Sequence, residues 1–99
     1  MIDAKLTYSF SAEKNKQLVK ERGVSFEAVI AALDNGKLLD IIENTEKYPH
    51  QRIYVIEMNG YAYLVPYVRK EKQEVFLKTI FPSRKLTRIY LEKREDLYD

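Results

Sequence analysis

Residues 52–68 read Arg52-Ile53-Tyr54-Val55-Ile56-Glu57-Met58-Asn59-Gly60-Tyr61-Ala62-Tyr63-Leu64-Val65-Pro66-Tyr67-Val68. Two apolar-rich alternating runs flank Asn59-Gly60. Both central positions of a type I′ turn need positive φ, which Asn and Gly tolerate, so this is a strong local signal for a β-hairpin. The alternation predicts Ile53, Val55 and Glu57 on one face and Tyr54, Ile56 and Met58 on the other. Pro66 has no N–H to give to a ladder, so an edge or a bulge is expected there.

Downstream, residues 69–73 are charged and predict a turn. Residues 74–81 alternate again and predict a third strand. Ser83 is placed to cap a final helix with the stripe Leu86, Ile89, Tyr90 and Lys93, and residues 95–99 are expected to fray. Upstream, residues 44–50 are polar, contain Pro49 and read as a loop, while residues 37–42 read as a strand. Ser11 and Gly23 bound one helix, whose expected face is Ala12, Asn15, Val19 and Arg22 with Leu18 beside it. Ser25 and Gly36 bound a second, with Phe26, Val29, Ile30 and Leu33 at helical spacing. Residues 5–8 read as a short strand. The order predicts one α+β domain over residues 1–99: two N-terminal helices, an antiparallel sheet of three to five strands and a C-terminal helix, with the helices on one sheet face.

A 99-residue chain can bury a modest core unaided. It has no cysteine, which excludes disulfides and thiolate metal sites, and one histidine, His50, which excludes His-rich metal sites. No apolar run approaches the roughly 20 residues of a membrane span, and residues 1–5 lack the apolar core of a signal peptide, so a cytoplasmic location is the expectation. Net charge is only +2, but it is unevenly spread. Asp40, Glu43 and Glu46 make residues 38–46 acidic. Basic residues gather from Arg69 to Arg94, and no acidic residue lies between Val75 and Leu91. Such a local cationic cluster suits a phosphate-bearing ligand, although a solvated charged surface has the same composition.

No carboxylate–histidine set has metal-ligand spacing, and no cofactor is called for. The three glycines all fall at turns, which leaves no phosphate-cradling loop. Metal-free RNA cleavage needs less. The ribose 2′-hydroxyl is itself the nucleophile, so the protein must hold the phosphate in line, neutralise its developing charge and move two protons. Arg84, Lys78, Arg52 and Arg69 are the candidate cations, and Lys78, Arg84, Lys85 and Arg88 are expected close together at the junction where the strand meets the helix. His50 is the candidate proton carrier, beside eight tyrosines that could carry protons or stack on bases. Lys78 interrupts an apolar strand. Arg84 opens a helix, where a cation opposes the dipole and an anionic partner would offset the cost. Lys14, Lys85 and Arg88 are candidate RNA-backbone contacts. Each residue has a plain alternative: a solvated histidine, sheet-packing tyrosines, surface lysines.

Glu13-Lys14-Asn15 followed by Lys20-Glu21-Arg22-Gly23-Val24-Ser25-Phe26-Glu27-Ala28 resembles the opening signature of the BrnT toxin family, in which a basic residue, His, Gly, Val or Ile, Ser, Phe and Glu follow the first helix. Ile80-Phe81-Pro82-Ser83-Arg84-Lys85-Leu86-Thr87 is similar to that family's later segment, with Arg84 on its arginine. Two departures are clear: Arg22 stands at the family's histidine and Pro82 at its serine. The resemblance implies a RelE/ParE-like fold and a messenger-RNA endonuclease, the toxic half of a type II toxin–antitoxin pair. Its implied partners are RNA and a ribbon-helix-helix antitoxin, with the ribosome a further candidate. Two rivals stand beside this reading: a non-catalytic interaction module, and a gyrase-directed toxin on the same kind of fold.

Overall fold

The computed structural model describes residues 5–43 and 51–92. Its centre is the hairpin of β3 (Arg52–Met58) and β4 (Tyr61–Glu71), with Met58 opposite Tyr61 and Arg52 opposite Tyr67. Asn59 and Gly60 take φ of 57° and 76°, as a type I′ turn requires. β2 (Leu38–Glu43) adds antiparallel on the β3 side and β5 (Glu74–Leu77) on the β4 side. β1 (Thr7–Ser9) then pairs with β5, but in parallel. β6 (Phe81–Pro82) pairs with β4 further along the same edge. The sheet is therefore mixed and six-stranded, in the order β1-β5-β4-β3-β2 with β6 on β4. A wholly antiparallel sheet of three to five strands is not what forms, because the N-terminal segment docks parallel to β5.

β5 and β6 are one strand interrupted by a bulge. Leu77 opposes Tyr67 and Phe81 opposes Leu64, so four steps on one strand meet three on the other. The cause is next door. Pro66 accepts the Lys78 N–H at 2.8 Å but has no N–H to return, so the ladder breaks there as Pro66 predicts. The extra residue resets the alternation. Ile80 turns into the core, with no exposed surface, while Phe81 takes the opposite face.

Helices α1 (Ala12–Arg22) and α2 (Phe26–Asp34) carry the expected caps: Ser11 accepts from the Lys14 N–H, Ser25 from the Ala28 N–H, and Gly23 ends α1 at φ 70°. They bury Leu18, Val24, Phe26 and Val29 against Tyr54, Ile56, Val65, Val75, Leu77 and Ile80. The buried position of α1 is Leu18, not the expected Val19 face: Val19 is 50% exposed. Asn15 on that polar helix is a tie rather than a packing residue. Its side-chain carbonyl accepts from the Phe26 N–H at 2.7 Å, and its amide donates to Glu27 at 2.8 Å.

The second sheet face has its own cover. α3 (Arg84–Thr87), capped by Ser83, continues as a π-helical turn over Arg88–Glu92, and this C-terminal helix packs on β4. Val55 and Ala62, on the face opposite Tyr54 and Ile56, are fully buried. The Tyr90 hydroxyl donates to Asp40 at 2.5 Å, and Asp40 is the register partner of Val55. Thr87 closes the β4 edge where β6 ends: its hydroxyl accepts from the Ala62 N–H at 2.8 Å and donates to the Ser83 carbonyl at 2.7 Å. Helices thus lie on both faces, not on one. Among the described residues, the C-terminal helix is the element that packs on this face, and it does so at β4.

Candidate functional site

The bulge sets Lys78 on this second face. There it lines a hollow of about 560 Å³ with Gln51, Ile53, Pro66, Thr79, Phe81 and, from α1, Lys14. The floor is apolar, the cations come from two elements far apart in sequence, and among the described residues no carboxylate lines the hollow. Beyond Lys78, the Lys70 and Lys78 ammonium groups sit 5.4 and 5.6 Å from the Phe76 ring centroid. Among the described residues, Lys14, Lys70 and Lys78 join no ion pair.

The bulge is braced from α1. Lys14, Leu18 and Arg22 are four residues apart and form one row along the helix. Leu18 goes into the core, and the Arg22 guanidinium donates to the Ile80 carbonyl at 2.6 Å. The row therefore grips the 78–80 turn from one end and places Lys14 at the other.

The remaining sequence candidates do not gather here. Arg84 and Arg88 line a separate hollow of about 290 Å³ with Tyr61, Thr87 and Glu92. The Lys78 N–H bonds to Pro66 and the Ser83 N–H to Ala62. Those anchors are four residues apart on β4, about 13 Å. Lys78 and Arg84 therefore belong to two neighbouring cationic places, not to one junction. Arg52 lies on the core-side face opposite Tyr67 and makes an ion pair of 3.9 Å with Glu43. Arg69 donates to the Lys72 carbonyl at 3.0 Å and holds the β4–β5 turn. Lys85 is exposed on α3. His50 lies outside the described residues.

The tyrosines divide in the same way. Tyr54 and Tyr67 are core, stacked at 4.0 Å between centroids. Burial is the main cause that pushes the Tyr54 hydroxyl well above its usual range, with Tyr8 and Tyr67 nearby adding to it. Burial also raises Tyr8, partly offset by its hydrogen bond with Tyr54. Phenols held neutral in this way are poor proton carriers near neutral pH. Among the described residues no three His, Asp or Glu side chains form a metal-holding group, and no helix is long and apolar enough to cross a membrane.

Sequence reading missed Arg22, Phe76, Phe81 and Lys70 as site components. The available signal was Pro66: a proline in a strand implies a bulge in its neighbour, and a bulge decides which of Ile80 and Phe81 stands beside Lys78. No family model matches the chain, and no curated protein sequence matches it.

Proposed function

We propose that the chain is a metal-independent ribonuclease toxin that holds the scissile phosphate of messenger RNA in the Lys14–Lys78 hollow. The supporting observation is the hollow itself: Lys14 from α1 and Lys78 from the strand bulge line one cavity with an apolar floor, and no carboxylate among the described residues lines it. In such a site fixed cations stabilise developing phosphate charge more than they would in open water. The 2′-oxygen attacks phosphorus, the bond to the 5′-oxygen breaks, and the products carry a 2′,3′-cyclic phosphate and a 5′-hydroxyl. One proton leaves the 2′-hydroxyl and one reaches the 5′-oxygen. His50, the sequence neighbour of hollow-lining Gln51, is the proposed carrier. Arg84 and Arg88 contact the RNA backbone beyond the scissile phosphate. The RelE-like fold, the toxin–antitoxin setting and the ribbon-helix-helix antitoxin rest on the BrnT resemblance.

A second reading, a non-catalytic interaction module, is favoured by another feature. Val19, Val24, Ala28, Ala31 and Met58 line an apolar hollow of about 460 Å³ on the helical side. Induced expression separates the readings. Growth arrest with loss of full-length messenger RNA is the expected result. Arrest with intact RNA and a DNA-damage response indicates gyrase, and no arrest indicates the module.

A further inference from the structure

The bulge does more than place one lysine. On β4, Leu64, Pro66 and Val68 face away from the helical core, and Phe76 is the register partner of Val68 while Phe81 is that of Leu64. Phe76, Lys78 and Phe81 therefore stand in a row on one face. Without the extra residue, Ile80 would stand where Phe81 does. Their register partners on β4 are four residues, about 13 Å, apart, and Lys78 lies between them in the row. Both rings are partly exposed. The Lys70 and Lys78 ammonium groups lie over the first ring, at the places of a stacked base's neighbouring phosphates, and Lys14 shares the hollow of the second.

We infer that this row is a stacking platform for single-stranded RNA, with bases on Phe76 and Phe81 and phosphates on Lys78, Lys70 and Lys14. The inference rests on the reading of the chain as an RNA-acting protein and names the form of RNA it takes. Aromatic rings on a sheet face, spaced by cations, match a chain that alternates bases with phosphates. A duplex keeps its bases stacked on one another and offers such rings nothing to stack with. The ring interval spans about four nucleotides at the stacked rise of 3.4 Å per step, and fewer when the strand is drawn out. Every base has a π-face, so the platform selects single strands with little regard to sequence.

The test uses a labelled ten-nucleotide 2′-O-methyl RNA, which cannot be cleaved through its 2′-oxygen, with binding followed by fluorescence anisotropy. Phe76→Leu and Phe81→Leu keep apolar bulk and are each expected to weaken binding about tenfold at unchanged melting temperature. Phe76→Tyr is expected to restore it. Replacing Lys14, Lys70 or Lys78 by Ala is expected to flatten the log-affinity against log-salt slope by about 0.7 each. A blunt duplex of the same sequence is expected to bind at least tenfold more weakly. Wild-type affinity in both leucine variants, or equal affinity for a polyglutamate peptide, would overturn the platform while leaving cleavage open. RNA binding that meets these expectations without cleavage of natural RNA would sustain the platform and end the nuclease reading.

Discussion

The Arg22 guanidinium donates to the carbonyl oxygen of Ile80 at 2.6 Å, across 58 residues of chain. Ile80 is the inward-turned residue of the bulge that sets Lys78 facing out. One side chain of α1 thus fixes the backbone that presents the candidate site. Arg22→Ala is expected to destabilise the protein by about 1–3 kcal/mol, as loss of a charge-assisted, partly buried bond should. It should also speed hydrogen exchange at Lys78–Ile80. Chemical denaturation and exchange mass spectrometry check both, and unchanged exchange there would remove the bracing role.

Thr87 is the buried polar group that replaces a strand partner for Ala62. Thr87→Val preserves shape but leaves the Ala62 N–H without its acceptor, at an expected cost of about 1–3 kcal/mol. Thr87→Ser should recover most of that loss. Equal melting temperatures for Thr87→Val and the parent protein would contradict the assignment.

The Tyr90–Asp40 bond makes docking of the C-terminal helix pH-dependent at both ends. The hydrogen bond from Tyr90 is the first cause that holds the Asp40 carboxyl below its usual range, and the same bond raises Tyr90. A lowered carboxyl contributes stability that is full above the unfolded value near 3.9 and is lost as pH falls. A raised phenol contributes stability that is full below about 10 and is lost as pH rises. The bond should therefore be complete between about pH 4 and pH 10. Tyr90→Phe should flatten the pH dependence of helix-amide exchange at both limits.

Lys78 and Arg84 should fail differently, because they occupy separate hollows. Lys78→Ala is expected to lower the cleavage rate constant by about 10²–10³. Arg84→Ala is expected to act on binding, flattening the salt slope by about 0.7 with a smaller change in rate. Single-turnover kinetics at saturating protein separate the two. Equal losses of rate would return Arg84 to the reaction centre.

Much of this fold is legible locally. Asn59-Gly60 fixes the hairpin because few residue pairs accept two positive φ angles, and Ser11, Ser25 and Ser83 announce helix starts through their own side-chain oxygens. What is not legible is set at a distance. α1 has one leucine and one valine on adjacent faces of a polar helix, and only the sheet beneath decides that Leu18 is buried. Nothing in residues 5–9 announces parallel pairing with β5. The alternation of residues 74–81 looks continuous, so a one-residue bulge is hidden unless Pro66 is read as its cause. Lys78 and Arg84 look adjacent at six residues apart, yet the strand between them carries them to different anchors on β4.

Metal-free cleavage at the Lys14–Lys78 hollow leaves a chemical signature on its products. The most direct measurement incubates purified protein with a defined messenger RNA in excess chelator, with and without ribosomes, and determines the product ends. The expected products carry 2′,3′-cyclic phosphate and 5′-hydroxyl ends in chelator, with the rate reduced by about 10²–10³ in Lys78→Ala. Products with 5′-phosphates, activity restored only by added divalent metal, or full activity in Lys78→Ala would contradict it.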